Sequence, residues 1–305
     1  MKKIFSILFL LAAFTTVQND SFAAATTTTT AATATSSTNW DSKASLERVN
    51  RIGKTLLTKN NLPQGITFTV SDEDDVNAYA DINKEVHVYR GLLNYVDYDH
   101  ELAGVIAHEM GHIINGHCAK QTLLNAAINT VSTNLANNTK TTAGSVAVAA
   151  GNQLATTKIS RNDEFEADLT GVDLMVKAGY NPLAMISVLN KITGNYIDVL
   201  ETHPSGEKRL MNIYNYVAYN YPQYTKEIYN TESYKKALTM INANVEQRNS
   251  NKKLQKKYEK EQKKLLKKRE KRAKKMQNSL NAWDASFAAL YYMSGSDSNS
   301  ESSNK

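Results

Sequence analysis

The sequence predicts an α+β protein, mainly helical, with a small antiparallel sheet near its start and a helical extension at its end. Three observations carry this. Apolar residues recur at helical spacing over most of the chain. A short stretch between Ile66 and Tyr89 changes to period two. Residues 251–292 contain neither Pro nor Gly and are helical in pattern throughout. A chain of 305 residues has room for one large domain, or a domain with an appendage. No repeat with a period of about 20–50 residues is evident, which argues against a helical-repeat module.

The first residues stand apart from the body. Lys2 and Lys3 precede an apolar run from Ile4 to Val17, and Ser21-Phe22-Ala23 then places small residues at the −3 and −1 positions of a cleavage site. Residues 1–23 therefore read as a secretory signal peptide, with Ala25 as the second candidate end, and the chain as exported, periplasmic or secreted. The run is short for a membrane span, which needs about 20 apolar residues. An uncleaved anchor is the alternative; no Cys follows the run to take a lipid. Residues 24–39 are almost only Ala, Thr and Ser, and read as a disordered linker.

The ordered body, 40–225, begins at Trp40. Leu46, Val49, Ile52, Leu56 and Leu57 recur at helical spacing. Ile66–Val70 alternates as a strand, and Val76–Ala80 and Glu85–Tyr89 flank the polar turn Asp81–Lys84 as a hairpin. A long helix follows from about Asp99 to His117, capped by Asp97 or Asp99. Leu102, Val105, Ile106, Ile113 and Ile114 are its buried candidates. Gly104 and Gly111 each cost that helix about 1 kcal/mol against Ala, which implies close approach by a neighbouring element. Thr122–Thr157 is rich in Ala, Thr, Asn and Gly, and reads as two small-residue helices or a mobile loop. Helical patterns resume at Arg161, with breaks at Gly179–Pro182 and His203–Gly206.

The formal net charge of +6 conceals a split. Residues 251–275 hold fourteen Lys or Arg against three Glu, so the rest of the chain is net acidic. This basic segment opens a helical extension, 226–293, whose second half carries the apolar stripe Met276, Leu280, Trp283, Phe287 and Leu290; 294–305 reads as a disordered tail. The lysines are the solvated face of a helix packed on the body, a membrane-surface contact, or a contact with the chain's own acidic residues. Nucleic acid is not expected as a partner of an exported chain. Cys118 is the only cysteine, so no internal disulfide forms, and it reads as a small buried filler at a helix end.

The chemistry lies in residues 108–112, His-Glu-Met-Gly-His. On a helix, positions i and i+4 share a face, one turn apart. His108 and His112 can thus point two imidazoles at one metal ion, with Glu109 beside them. Zinc catalysis needs neutral nitrogen ligands, a position open to water, and a carboxylate to take the proton. A third protein ligand is required, and Ser160–Gly171 is the candidate source, with Glu164 and Asp168 at i, i+4. Such a pair can give one carboxylate to the metal and the other to a ligand histidine's free N–H. A solvated acidic helix face is the alternative reading of that segment alone.

Five motifs occur in order: Asn77-Ala-Tyr-Ala80, His87–Leu93, Glu101–His112, Ser160-Arg…Glu164-Phe-Glu-Ala-Asp168…Gly171, and Thr202-His-Pro…Arg209. Over roughly Asn39 to Tyr221 the chain resembles the HtpX/BepA/Loi-type zinc endopeptidases, the family that also contains the CAAX prenyl proteases, as a soluble exported member. The resemblance implies a zincin-type metalloprotease domain holding one Zn²⁺. His108, His112 and Glu164 would be its ligands, Glu109 the general base, and Asp168 the acid that orients a ligand histidine. His203 and Arg209 match an element near the metal that could steady the oxyanion, or, for the histidine, occupy the open metal position. Glu166 is a weaker candidate for the third ligand. Asn77–Ala80 with Val86–Val88 resembles an edge strand that pairs with an extended peptide. His87 is a cleft or surface histidine, while His100 and His117 are surface or helix-end residues given no chemistry. The function implied is a zinc-dependent endopeptidase acting on misfolded or unassembled envelope proteins; the alternative is a zinc-containing, chaperone-like binding protein that rarely cuts.

Overall fold

The computed structural model describes residues 41–123, 161–193, 206–226 and 229–277. Residues 1–23 and 24–39, read above as a signal peptide and a linker, together with residues 124–157, His203 and the stripe from Leu280 to Leu290, lie outside the described residues.

Helix α1, Ser42–Lys59, is capped by Asp41, whose side chain accepts from the Ala44 amide, and buries Val49, Ile52, Leu56 and Leu57. Three strands follow: β1 Thr67–Ser71, β2 Ala78–Ala80 and β3 Glu85–Tyr89. The hairpin is as expected, with Ala80 opposite Val86 and Ala78 opposite Val88. Its turn is closed by Asp81, which accepts from the Glu85 amide, while Lys84 adopts a positive φ of 67°.

The sheet is mixed rather than antiparallel. Its order is β1-β3-β2, and β1 runs parallel to β3 with Thr67 opposite Glu85. The connection after β1 crosses over so that β3, with Val86 and Val88 fully buried, takes the centre. In the centre, β3 pairs along both edges, with β1 on one side and β2 on the other, so its backbone polar groups find partners on each side. The crossing loop is held by a hydrogen bond from the Gly91 amide to the Glu73 carbonyl, and by Arg90 paired with Asp72 and Asp74. That clamp fixes where Val76 and Asn77 enter β2.

After α2, Arg90–Tyr95, comes the central helix α3, Asp99–Ile114, buried along nearly its whole length. Neither expected acid caps it. Tyr98 holds the cap position without a side-chain bond, and Asp99 instead pairs with Arg48 and Arg51 of α1 at 2.8 and 2.7 Å. As a first-turn acid it still complements the helix dipole. The helix also ends earlier than expected. Asn115 and Gly116 form a turn, Gly116 at φ +73°, and residues 117–123 begin a new helical stretch.

Helix α4, Arg161–Ala178, packs against α3 more closely than ordinary side chains allow. A Cβ on Gly111 would lie 2.6 Å from the Ala167 carbonyl oxygen, and one on Gly104 would lie 3.1 Å from the Cα of Met185. Met185 belongs to α5, Leu183–Thr193. The two glycines thus admit a helix on each side, and the tight packing offsets their low propensity. Glu101, fully buried on α3, is satisfied by Ser187 at 2.7 Å and Lys191 at 2.8 Å, both on α5.

Helix α6, Gly206–Asn220, and a short 3₁₀ turn at Pro222–Thr225 complete the body. Helix α7, Glu232–Ser250, packs on α5, and α8, Lys252–Met276, follows it. Helix α8 docks on the body through buried Gln262, Arg269 and Ala273. Arg269 Nη2 lies 2.6 Å from Asp173 Oδ2, and Asp173 Oδ1 accepts from the hydroxyls of Tyr216 and Tyr221. Of the readings open for the basic segment, contact with the chain's own acids is therefore present, while Lys256, Lys260 and Lys263 remain exposed.

Candidate metal centre

Helices α3 and α4 pack closely where Gly111 meets Ala167, and each contributes two groups to one buried cluster. His108 and His112 lie on one face of α3, and Glu164 and Asp168 lie one turn apart on α4. The Nε2 atoms of the two histidines are 3.1 Å apart. Glu164 Oε1 is 3.2 Å from Nε2 of His112, and Glu164 Oε2 is 3.5 Å from Nε2 of His108. Among the described residues these three form a group able to hold a metal ion, all buried.

The donor set fits zinc. Ligand atoms about 2.0–2.1 Å from a tetrahedral ion stand roughly 3.3 Å from one another, and two imidazole nitrogens with one carboxylate leave a fourth position open. The observed spacings of 3.1, 3.2 and 3.5 Å match that requirement.

Each imidazole turns its other nitrogen away from the centre. His108 Nδ1 meets Asp168 Oδ1 at 2.9 Å. Arg209, on α6, grips the same carboxylate, with Nε 2.8 Å from Oδ2 and Nη2 2.7 Å from Oδ1, and its Nη1 reaches Glu164 Oε2 at 2.9 Å. Burial opposes ionisation of Asp168, but the guanidinium outweighs it and holds the carboxyl below its usual range. Burial and Arg209 also oppose a charge on His108; hydrogen bonds from its ring to Asp168 and Glu164 prevail and raise it to about 9.

His112 Nδ1 lies 3.1 Å from Nδ1 of His117. This corrects the reading of His117 as a surface or helix-end residue: it is 5% exposed and continues the site. On an unbroken helix a residue five positions on would point about 140° away. The turn at Gly116 removes that constraint and swings the ring back. The sequence signal was the Asn115-Gly116 helix stop just before it.

Glu166 does not join Glu164. Its carboxylate lies 3.4 Å from His117 Nε2 and 2.7 Å from Arg272 Nη1. Burial alone would raise it, but His117 and Arg272 pull it down to about 2. His100, at the start of α3, accepts from the Asn181 amide. His87 stacks on Tyr79 and shares a hydrogen bond with Thr69. Cys118 is half-buried, donates to the Ala80 carbonyl, and has its thiol pushed up to about 12 by burial and Glu109; it is outside the ligand group.

Glu109, His108 and Arg209 open onto an apolar cleft walled by Val76, Ala78, Val105, Val188, Leu189 and Ile192. Strand β2 forms one lip of it. As the last strand in the sheet order, β2 has a strand partner on one side only among the described residues. No described helix is long and apolar enough to cross a membrane.

The family model for peptidase family M48 matches residues 43–217, more than half of the chain. The beta-barrel assembly-enhancing protease of Yersinia pestis is 27% identical over 183 residues, 55% of this chain and 38% of that protein. The metalloprotease LoiP of Escherichia coli strain K12 is 30% identical over 188 residues, 57% of this chain and 74% of that one. The metalloprotease YcaL of the same strain is 29% identical over 184 residues, 56% of this chain and 70% of its own length. The chain thus spans well under half the length of the assembly-enhancing protease, and most of LoiP and YcaL.

Proposed function

The chain belongs to peptidase family M48, and on that premise we propose that it is a zinc-dependent endopeptidase that cuts proteins of the cell envelope. One observation carries the reading. His108, His112 and Glu164 converge at zinc-ligand spacing, and His108 and Glu109 lie on the wall of an apolar cleft.

His108, His112 and Glu164 would hold the ion. When bound, zinc supplies a Lewis acid that polarises the scissile carbonyl and lowers the pKa of attacking water. Glu109, which borders the cleft beside these residues, would serve as the general base and then as the acid toward the leaving amine. Asp168 holds His108 with Nε2 directed inward, and Arg209 balances the two buried carboxylates behind the ligands. Arg209 also borders the cleft, where it would help steady an oxyanion. His203 would share that task or occupy the open metal position.

Substrate binding by β2 would use backbone hydrogen bonds at the strand edge, which recognise extended peptides with loose sequence demands. The apolar cleft adds a preference for an aliphatic or aromatic side chain next to the cut. A protease that meets unfolded envelope proteins needs this combination, and one set of relatives is named for the assembly of β-barrels. The signal-like residues 1–23 support export. The exposed lysines of α8 support contact with an anionic membrane surface.

The test is Glu109→Gln in the full chain. Zinc content should persist while cleavage of an unfolded protein substrate falls by roughly a hundredfold or more. Retained cleavage overturns the mechanism. A variant that no longer cuts yet still performs the biological role would favour the chaperone-like alternative.

A further inference from the structure

Both ligand imidazoles need a partner for the nitrogen that faces away from the metal, because a neutral ring bound through Nε2 carries its proton on Nδ1. Asp168 serves His108 directly. For His112 the acceptor is Nδ1 of His117, at 3.1 Å. His117 can accept there only as the tautomer protonated on Nε2, and that N–H then faces Glu166 Oε2 at 3.4 Å. The other oxygen of Glu166 is held by Nη1 of Arg272 at 2.7 Å. The same guanidinium donates to Asn115 twice, Nη1 to the side-chain oxygen at 2.8 Å and Nη2 to the backbone carbonyl at 3.1 Å. Asn115 in turn donates to the Gly111 carbonyl at 2.7 Å and to Thr170 at 3.0 Å, clipping the end of α3 to α4.

Arg272 stands on α8, well past residue 217, where the family match ends. We propose that Arg272 is a positioning residue for the metal centre, setting the tautomer and ring orientation of His112 through Glu166 and His117. The inference rests on the zinc reading of the site. It gives the C-terminal helix a part in metal binding, rather than only a docked and solvated face. The geometry favours this over simple docking. Arg269, one turn earlier, already anchors α8 on Asp173, whereas Arg272 engages the turn and the acid that hold His117.

The test compares the full chain with Arg272→Gln, Arg272→Lys, Glu166→Ala and His117→Phe. The readouts are zinc affinity by chelator competition, the visible spectrum of the cobalt-substituted protein, and the thermal midpoint of the metal-free protein. Arg272→Gln, Glu166→Ala and His117→Phe should each weaken zinc about 10- to 100-fold and alter the cobalt spectrum. Arg272→Lys, which keeps the charge on Glu166, should recover most of the affinity. His117→Phe does not touch the docking of α8 and so serves if the Arg272 variant does not fold. Unchanged zinc affinity and cobalt spectrum in the variants, with only the metal-free midpoint lowered, would overturn the relay alone. A wild-type chain that binds no zinc would overturn the reading of the site and the relay with it.

Discussion

Asp168 Oδ1 lies 2.9 Å from Nδ1 of His108, while both Asp168 oxygens also accept from Arg209 at 2.7 and 2.8 Å. One carboxylate therefore contacts the His108 ring and neutralises a buried cation. Asp168→Asn removes its charge and half its acceptor capacity. Zinc affinity should fall about 10- to 100-fold, and the metal-free fold should lose roughly 3 kcal/mol because the Arg209 charge is left undercompensated. Zinc titration and urea unfolding of the metal-free protein read the two effects separately.

Gly111→Ala sets two opposed effects against each other. Helix propensity favours Ala by about 1 kcal/mol, but its Cβ would sit 2.6 Å from the Ala167 carbonyl oxygen, a backbone atom that cannot rotate away. Forced separation of packed helices costs about 1–3 kcal/mol. The expected net outcome is destabilisation with weaker zinc binding, since the proposed ligands are divided between α3 and α4. A shift of the urea midpoint to lower concentration checks it; a higher midpoint contradicts it.

The Arg269–Asp173 pair predicts that α8 is part of the cooperative fold. Both side chains are at most 3% exposed, and breaking such a pair from one side costs about 3–5 kcal/mol. Arg269→Met should approach that loss. The double change Arg269→Met with Asp173→Asn should recover a substantial part, because no unpaired charge stays buried. A double-mutant cycle in urea measures the coupling; strict additivity contradicts it.

The metal-free protein should lose stability with rising pH. His108 is raised from 6.5 to about 9 in the folded chain. The folded state thus holds that proton more tightly than the unfolded state. Its stabilising contribution is full below pH 6.5 and disappears as pH climbs through about 9. Melting in the presence of a chelator should show a midpoint that falls across this window. Zinc requires the neutral ring, so its binding should release a proton at neutral pH and tighten as pH rises. Calorimetry in buffers of different ionisation enthalpy detects the proton.

Much of the site was legible because its chemistry follows helical periodicity. His108 and His112 share a face by spacing alone, and Glu164 and Asp168 do likewise, so two short segments announce four of the groups in the cluster. The glycines of α3 pointed correctly to close neighbours on that helix. What escaped was set by turns and chain crossings. The sheet is mixed because the loop after β1 carries β2 to the outside of β3, and strand alternation is the same in either order. Likewise the Asp99 cap was displaced by two arginines from α1, residues about fifty positions away.

Residue spacing alone picked out the two helix faces that carry the candidate metal ligands, because an i, i+4 repeat is a property of a single helix. How those groups are supported depends instead on contacts made by the folded chain. His117 joins His112 because Gly116 breaks the helix with a positive φ, and Arg272 joins Glu166 because α8 folds back onto the body through Arg269. Those contacts depend on the direction the chain takes after a turn, which residue spacing does not encode.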